Sequence, residues 1–491
     1  MLLAAVTCFA PASASAAGPA PDNFYGVNPG DLFKLPQAQW DTQLQAIADD
    51  GVQVVRMGAW WSDLEPGPPV NGVHGYSWSD IDKQVVALAR HNLQWEPLLC
   101  FSATWGSKIP GDYSGAPDGT DNFSLFGAAL AKRYGPGGSF WAEHPELPAL
   151  PVTAYEVWNE ENAKVYWHPA TPEDYADLYA ATRSAIHGVD ANARVVVGGL
   201  AAADNSSVLA PADFLRKMYA HRPDLKGNVD AVALHPYARD PEGVYEKVAA
   251  FRHDLDSIAG PGVPIELTEI GWSTTDTPES KRADYLRELA STLPRTDCGL
   301  DRMTAYAWIG PEQDAGDREQ WFGIAGKPSA SAFAASVRMM RGIDAGAPTS
   351  TVRLCSSASA RTATSAAHKK PAPLKLTVKV RRHPRRAGRL IISARCSRGC
   401  LLAVQVGIPH RKGVAWASRV TSLKLTTRHA ARRQTLSVNV ARRLGISASR
   451  LRIKVTATAR TGSHATRYRS IRLRPTGQFA VQSARSAYVP T

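Results

Sequence analysis

The sequence predicts a (β/α)₈ TIM barrel, an α/β fold, followed by a small all-β immunoglobulin-like sandwich. Three observations predict this arrangement. Up to about residue 343, short apolar segments alternate with amphipathic helical patterns, as βα units do. From Leu374 onward the hydrophobic pattern changes to strict alternation, which is typical of half-buried strands. The charge also divides: residues 345–491 hold 31 Lys and Arg and no acid, whereas residues 1–344 hold 26 basic and 44 acidic residues, a formal charge of −18.

Eight apolar segments without polar alternation predict the barrel strands, because strands buried on both faces are apolar throughout. They are Phe24–Asn28, Gln53–Met57, Trp95–Cys100, Ala154–Trp158, Arg194–Gly198, Ala231–His235, Ile265–Glu269 and Met303–Trp308. Helical patterns lie between them at Asp80–His91, from Thr171, and at Asp213–His221, Glu242–Ile258 and Ser280–Leu293. The alternative, a doubly wound open sheet, would show a G-x-G-x-x-G turn after an early strand. Residues 24–28 show nothing of the kind.

The two ends of the chain have distinct compositions. Residues 1–17 are predicted to be a secretory signal peptide, because Leu2–Ala10 is apolar and Ala14-Ser15-Ala16 fits a cleavage site. The barrel is then expected over 22–343, and the protein is expected to be secreted or extracellular, with possible cell-wall association. No later apolar run approaches the roughly 18 residues that a membrane span needs.

The C-terminal third divides into a linker, a sandwich and a tail. Residues 344–372, rich in Ala, Ser, Thr and Pro, predict the linker, 373–475 the basic β-sandwich and 476–491 the tail. About seven short strands are expected in the sandwich: Leu374–Val380, Arg389–Ala394, Leu401–Ile408, Ala415–Leu425, Gln434–Val440, Leu451–Thr456 and Ala465–Arg474. The outward positions of these strands are largely Lys and Arg.

The cysteines are expected to be structural. Export permits disulfides; Cys298 and Cys355 are candidates for one, and Cys396 and Cys400 for a small loop, while Cys100 is predicted to be a buried thiol. No His lies near them at zinc spacing. Neither a metal nor a cofactor is therefore expected.

Polar residues occur where the predicted strands end, the position of the active site in such barrels. Glu160 ends the fourth strand and Glu269 the seventh. Hydrolysis of a glycoside uses such a pair, one carboxylic acid to protonate the leaving oxygen and one carboxylate to attack or stabilise the sugar cation.

The segments around these carboxylates resemble clan A of the glycoside hydrolases, the retaining (β/α)₈-barrel enzymes, most closely families 39 and 5. Glu156-Val157-Trp158-Asn159-Glu160 resembles the clan's Asn-Glu at strand four, and Leu267-Thr268-Glu269-Ile270-Gly271-Trp272 its second Glu at strand seven. Leu234-His235-Pro236-Tyr237 resembles the His-x-Tyr of strand six, and Met303–Trp308 the strand that carries the Trp beneath the reacting sugar. The resemblance covers about residues 22–343.

The resemblance implies that Glu160 is the acid/base and Glu269 the nucleophile, with Trp308 as the sugar platform. The sequence departs from the clan's pattern at two places, and both departures bear on which substrate the resemblance implies. Glu161 follows Glu160, where many relatives have Pro, and either raises the pKa of that acid or points into solvent. No His lies between Trp95 and Trp105.

Other residues are assigned supporting roles. Arg56 and Tyr237 are expected to hold Glu269 in its charged form, and Asn159 to bind the sugar 2-hydroxyl. Arg56 could instead only pair with a buried Glu156, and His235 could be a core histidine.

Further predictions concern residues outside the catalytic pair. Glu266, three residues before Glu269, is expected to face the other side of its strand and to be structural. Tryptophans near strand ends suit a carbohydrate cleft, although each one except Trp308 is expected to serve packing: Trp60, Trp61, Trp105, Trp167, Trp272 and Trp308.

The sequence thus predicts a secreted retaining glycoside hydrolase that cleaves poly- or oligosaccharides. The alternative is a catalytically silent barrel that binds carbohydrate or a polyanion at the cell surface. The basic C-terminal domain predicts an anionic cell-wall polymer as a partner. Specific nucleic-acid binding is not expected, because Trp416 and Tyr468 are the only aromatic residues placed to form a stacking platform.

Overall fold

The structure is a computed structural model that describes residues 19–169, 171–203, 207–356 and eight strands between 376 and 472. The chain divides into two units, Met1–Ala366 and Ala367–Thr491. This division falls inside the predicted linker. The predicted signal peptide, residues 1–17, and the tail, 476–491, lie outside the described residues.

The first unit contains a closed barrel of eight parallel strands, in which each strand pairs with its neighbours in sequence and β8 pairs with β1. The TIM-barrel prediction is therefore confirmed. The strands are β1 Tyr25–Val27, β2 Val54–Trp60, β3 Gln94–Cys100, β4 Ala154–Asn159, β5 Arg194–Ala201, β6 Ala231–His235, β7 Ile265–Ile270 and β8 Leu300–Ala305.

Strand β8 begins and ends three residues earlier than predicted. The sequence did not predict its first residues, because Asp301 and Arg302 are charged and charged residues are rare in strands buried on both faces. Its predicted end at Trp308 was wrong because the apolar run continues past the sheet. The backbone N–H of Trp308 donates to the carbonyl of Asn28, in the loop after β1.

Ten α-helices connect or extend the described strands of this unit. They are α1 Trp40–Asp49, α2 Trp61–Leu64, α3 Ser79–Arg90, α4 Asp121–Tyr134, α5 Ser139–Glu143, α6 Pro172–His187, α7 Pro211–His221, α8 Pro241–Ala259, α9 Glu279–Thr292 and α10 Pro328–Met340. Short 3₁₀ helices occur at Leu32–Lys34, Gln37–Gln39, Pro223–Leu225, Leu293–Arg295 and Arg318–Trp321. Helix α6 starts as predicted, with the Thr171 hydroxyl accepting the Asp174 N–H at 3.0 Å and Pro172 in the first turn.

Charged side chains fill part of the barrel interior. Arg302 of β8 contacts Glu96 of β3, and because β1 and β2 lie between those strands, the contact crosses the interior. Arg302 also lies 3.5 Å from Glu266, which is fully buried. Burial of these charges is costly unless they are paired, so each ion pair offsets a desolvation penalty.

Glu266 therefore does not face away from Glu269, and the prediction from strand alternation was wrong. The β7–β8 register shifts between Leu267 and Ile270. This irregularity breaks the two-residue period, so Glu266 points into the barrel interior while Glu269 points into its mouth.

Residues 354–356, in the segment after α10, are attached to the first unit. Cys355 forms a disulfide with Cys298, as predicted, and Cys100 is a buried free thiol. Both carboxylate oxygens of Asp297 accept backbone N–H groups of residues 354–356. Residues 344–356 of the predicted linker thus include a part that is fixed to the first unit.

The second unit contains two antiparallel sheets. Its strands are β9 Leu376–Arg382, β10 Arg389–Cys396, β11 Cys400–His410, β12 Gly413–Trp416, β13 Thr421–Leu425, β14 Gln434–Asn439, β15 Arg450–Ala459 and β16 His464–Arg472. One sheet has the order β14-β10-β9, and the other has the order β12-β11-β15-β16, with β13 also paired to β11. The immunoglobulin-like packing of the sheets stays a prediction, and a Cys396–Cys400 disulfide lies outside the described side chains.

Among the described residues, no helix combines the length and apolarity that crossing a membrane requires.

Candidate active site

Glu160 and Glu269 lie at the C-terminal end of the barrel. Glu160 directly follows β4, and Glu269 is the next-to-last residue of β7. Their side chains are mostly buried, with 18% and 13% of the side-chain surface exposed. Both carboxylates therefore reach the mouth of the barrel while keeping contact with groups inside it.

The turn after β4 has an unusual backbone. Trp158 and Glu160 have φ values of 70° and 50°, in the left-handed region that costs a residue with a side chain roughly 1–2 kcal/mol. The turn is fixed by the Trp158 indole N–H, which donates to the carbonyl of Tyr166 at 2.7 Å, and by the Glu160 N–H, which donates to the carbonyl of Gly199 at 3.2 Å. These bonds direct the Glu160 side chain toward the barrel axis.

Two glycines of β5 make room for this arrangement. A Cβ at Gly198 would lie 2.4 Å from the carbonyl oxygen of Trp158, and a Cβ at Gly199 would lie 1.9 Å from Nε2 of His235. Only a residue without a side chain allows such close approach. The Gly198-Gly199 pair therefore admits both the β4 turn and the His235 ring.

The two carboxylates meet at His235. Nδ1 of His235 is 3.0 Å from Oε1 of Glu160 and 3.6 Å from Oε2 of Glu269. One oxygen of each carboxylate and one ring nitrogen all lie within 4.8 Å of one another. Burial lowers the pKa of His235, but the negative charges of Glu269 and Glu160 outweigh it and raise that pKa above its ordinary value.

Glu269 is held in its ionised form. Nη1 of Arg56 donates to Oε1 of Glu269 at 2.8 Å, and the Tyr237 hydroxyl donates to Oε2 at 2.9 Å. Burial would raise the pKa of Glu269, but the charges of His235 and Arg56 and the hydrogen bonds from Tyr237 and Arg56 lower it below its ordinary value.

Side chains of β4 hold Arg56 in place. Its Nε and Nη2 donate to Glu156 at 2.5 and 3.1 Å, and Nη2 also donates to the side-chain oxygen of Asn159 at 3.0 Å. Glu156 accepts a further bond from Thr268, whose hydroxyl lies 3.1 Å from Nε2 of His235. Because Arg56 occupies the Asn159 oxygen, the amide NH₂ of Asn159 is the group left to donate to a ligand.

The structure thus brings six of the seven predicted site residues into one hydrogen-bonded network. Trp308, the seventh, is 2% exposed, and its indole N–H donates to Gln43 at 2.9 Å. Tyr306 is the aromatic residue that the sequence analysis missed. It is half-buried, it packs edge-on against Phe322 with ring centroids 5.3 Å apart, and the charge of Glu269 is among the causes that raise its pKa, after burial.

Glu161 does not point into solvent. It is 1% exposed, and burial raises the pKa of its carboxyl well above the ordinary value, which favours the neutral form. Glu160, His235 and Glu269 together also present a donor set that a cation could accept. The Arg56 guanidinium in contact with Glu269 disfavours a second positive charge there.

A cavity of about 310 Å³ opens beside Glu160. Its described lining is mainly apolar and comes from the last residues of β5 and β6 and from the loops after β4, β5 and β6: Glu160, Ala163, Val165, Tyr166, Ala201, Ala202, Ala203, Ser207, Val208, His235 and Tyr237. Glu160 borders this cavity and Glu269 does not, so the cavity lies on the Glu160 side of the carboxylate pair.

By sequence, the chain matches no protein-family model and no curated protein. By structure, it is similar to the GH39 enzyme from Xanthomonas axonopodis pv. citri, with 15% identity, 86% of this chain and 93% of that chain covered, and a TM-score of 0.50.

Two further solved structures are similar at TM-scores just below that value. One is a monomeric β-xylosidase from Caulobacter crescentus, with 18% identity, coverage of 86% and 95%, and a TM-score of 0.49. The other is a GH5_18 variant from Streptomyces cattleya in complex with Manβ1-4GlcNAc, with 15% identity, coverage of 67% and 83%, and a TM-score of 0.48. At these identities the likeness concerns the fold alone, a closed barrel of eight parallel strands.

Proposed function

We propose that this protein is a retaining glycoside hydrolase that cleaves O-glycosidic bonds of poly- or oligosaccharides by double displacement. The observation that carries the proposal is the separation of the two carboxylates. One carboxylate oxygen of Glu160 and one of Glu269 lie within 4.8 Å of each other. Retaining enzymes place the two carboxyl groups about 5–5.5 Å apart, whereas inverting enzymes need about 6.5–9.5 Å to admit a water.

In the first step, an oxygen of Glu269 attacks the anomeric carbon while the bond from that carbon to the leaving oxygen breaks. Glu160 gives its proton to the leaving oxygen, and a covalent glycosyl ester forms on Glu269. In the second step, Glu160 takes a proton from water, the water oxygen bonds to the anomeric carbon, and Glu269 leaves as a carboxylate.

The environment of each group supports this assignment. The nucleophile must be ionised, and Arg56 and Tyr237 both donate to Glu269. The positive charge of Arg56 lies against Glu269 and not against Glu160, so the two carboxyls differ in surroundings as a nucleophile and an acid require.

The test is a screen of 4-nitrophenyl glycosides and of plant and bacterial polysaccharides with the full chain. Wild type should release product with retained anomeric configuration, read by proton NMR. Glu269→Ala should be inactive and should regain turnover with azide, which takes the place of the missing carboxylate and gives a glycosyl azide. Glu173→Gln, on the outer helix α6, is the matched control and should behave as wild type. Products of inverted configuration would disprove the role of Glu269.

A catalytically silent sugar-binding barrel is the rival function. It predicts binding of oligosaccharide without turnover and no effect of azide on any variant. The presence of both carboxylates, with Glu269 stabilised as an anion, favours the enzyme.

We further propose that the protein is secreted and that its second unit binds an anionic cell-wall polymer. The Cys298–Cys355 disulfide supports an oxidising compartment. Register in the β15–β16 pair supports the polymer site, because directly opposed residues share one face of a sheet. Arg450 stands opposite Arg472, with Arg452 and Lys454 at the next positions on that face.

Sedimentation of the full chain with teichoic-acid-bearing cell walls tests this partner. Binding should be strong at low salt and should weaken steeply as salt screens the charges. The triple change Arg450→Gln, Arg452→Gln, Lys454→Gln should weaken it, whereas the charge-matched triple Lys34→Gln, Lys83→Gln, Lys217→Gln on the first unit should not. Equal loss in both triples would contradict a site on this face.

A further inference from the structure

A second cavity, of about 340 Å³, lies at the C-terminal ends of β2 and β3. It is lined by three aromatic and three small polar or acidic residues: Trp60, Ser62, Asp63, Phe101, Thr104 and Tyr113. None of these residues lines the cavity beside Glu160 or belongs to the catalytic network. The cavity is therefore a separate feature of the same end of the barrel.

Strand β2 connects the aromatic cleft to the group that holds Glu269. Arg56, Gly58 and Trp60 alternate along β2, so they share its inward face. A Cβ at Gly58 would lie 2.1–2.3 Å from the Trp60 ring, so the indole lies directly over Gly58. Because Arg56 on the same face contacts Glu269, the inward face of β2 carries both the Trp60 ring and the cation that holds Glu269.

Phe101 connects the cleft to the acid/base turn. Its ring centroid is 4.9 Å from that of Trp60 and 6.5 Å from that of Trp158, which precedes Asn159 and Glu160. Phe101 has a φ of 60°, a strained conformation for a residue with a side chain. Such strain persists only where the surroundings fix it, and it is frequent at ligand-binding positions.

The rings are placed to contact a ligand as well as each other. Trp60 and Phe101 are half-buried, and Tyr113, whose ring lies 5.2 Å from that of Phe101, is 54% exposed. The Tyr113 ring and the open face of the cleft are available to another molecule.

Trp60 also differs from most tryptophans of the first unit in its hydrogen bonding. Ten of the twelve donate their indole N–H to another residue. Among the described residues, Trp60 and Trp78 are the exceptions. No protein acceptor in the described residues therefore competes for the Trp60 N–H, and a hydroxyl group of a ligand in the cleft could accept it.

Asp63 provides the complementary acceptor. Its Oδ1 accepts the Ser62 hydroxyl at 3.0 Å, and no Lys, Arg or His of the described residues lies within ion-pair distance of it. Flat apolar rings beside an N–H donor and an unpaired carboxylate match the two surfaces of a pyranose, which has apolar C–H faces and a rim of hydroxyl groups.

We propose that the aromatic cleft is a sugar-binding subsite for a residue of the substrate chain other than the one whose bond is cleaved. The proposal deepens the proposed function and rests on it. It locates the part of the site that distinguishes the poly- or oligosaccharides of that proposal from the glycoside of a single sugar, because a binding site beyond the catalytic centre is used only by a carbohydrate of two or more units. The favoured substrate is an oligosaccharide or polysaccharide, not the glycoside of a single sugar.

The test compares 4-nitrophenyl glycosides of the mono-, di- and trisaccharides of glucose, xylose and mannose. For the sugar that wild type cleaves, kcat/KM should rise with chain length. Tyr113→Ala and Trp60→Phe should each lower kcat/KM for the longer substrates by about tenfold, the equivalent of one aromatic contact. The loss of kcat/KM for the monosaccharide substrate should be much smaller than the loss for the longer substrates.

Trp78→Phe is the matched control, since it removes the other unpartnered indole N–H and Trp78 packs against Tyr76 and Tyr134 outside the cleft. It should leave the chain-length dependence intact. Equal losses on all three chain lengths, or no loss in either cleft variant, would overturn the subsite.

Binding separates this proposal from the proposed activity. Calorimetric titration of Glu160→Gln with the trisaccharides should give a Kd that Tyr113→Ala raises about tenfold. If wild type shows no turnover but this difference in binding is found, the proposed activity fails and the subsite stands. If turnover is found without a difference in binding or chain-length dependence, the activity stands and the subsite fails.

Discussion

Arg56 and Glu269, 213 residues apart in the sequence, are joined by a 2.8 Å hydrogen bond between Nη1 and Oε1. The rest of the guanidinium is held by Glu156, which is completely buried. One cation thus contacts a carboxylate inside the barrel, Glu156, and a second carboxylate at its mouth, Glu269. The stability of the barrel and the charge of the proposed nucleophile, Glu269, therefore depend on the same side chain.

The first prediction separates these two roles. Arg56→Met should destabilise the protein by about 3–5 kcal/mol, because Glu156 is left as an uncompensated buried charge. The double change Arg56→Met, Glu156→Met removes both charges and should recover most of that loss. Chemical unfolding of the three proteins measures the difference. Activity should stay low in both variants, since Glu269 lacks its cation in each; recovered activity in the double variant would contradict the assigned role of Arg56.

The second prediction concerns pH. Arg56, His235 and Tyr237 together hold the pKa of Glu269 below its ordinary value, against the effect of burial. Because the nucleophile must be ionised, the acid limb of kcat/KM follows the pKa of Glu269 in the free enzyme. Tyr237→Phe removes one donor, raises that pKa and should move the acid limb to higher pH by about one unit.

Tyr219→Phe is the control for this experiment, because it removes a buried hydroxyl from α7, away from the site. Its pH profile should superimpose on that of wild type. An acid limb that moves to lower pH in Tyr237→Phe would show that Glu269 is not the group titrated.

Much of the barrel could be predicted from sequence because its strands are buried on both faces and appear as short apolar runs. The two carboxylates could be placed because each ends such a run. The limits of β8 could not, since a buried loop is as apolar as a buried strand and the run extends to Trp308. The inward orientation of Glu266 could not be predicted either, because the register shift between Leu267 and Ile270 cannot be recognised in the sequence.

The roles of the aromatic residues could not be ranked from sequence either. Trp60 ends β2 and Trp308 lies beyond β8, and the sequence favoured Trp308 as the sugar contact. In the structure Trp308 is 2% exposed, whereas Trp60 is half-buried at the edge of a cavity. Exposure depends on how the loops cover each ring, and a local pattern does not contain that information.

The third prediction uses a glycine as a spacer. A side chain at Gly199 would occupy the place of the His235 ring, so Gly199→Ala should displace His235 from Glu160. Misplacement of a catalytic group by about 1 Å can cost about a hundredfold, and kcat should fall by roughly that factor. Gly75→Ala, where a Cβ meets nothing within 4 Å, is the matched control. Unchanged kcat in Gly199→Ala with a folded protein would show that His235 does not position Glu160.

The fourth prediction concerns the Cys298–Cys355 disulfide, which closes a loop with a sequence separation of 57 residues. In the chain-entropy account, a loop of that length stabilises the folded state by about 4 kcal/mol. The paired change Cys298→Ser, Cys355→Ser should therefore lower the Tm of the first unit. Dithiothreitol should lower that Tm to the same extent in wild type and should leave it unchanged in the variant. Cys100→Ser, at a buried free thiol, should keep the sensitivity to dithiothreitol. The disulfide joins a residue before β8 to the segment after α10 and touches no residue of the catalytic network. The kinetic constants of the paired variant should therefore equal those of wild type at temperatures below its Tm. A lower kcat at such temperatures would contradict the independence of the disulfide and the catalytic network.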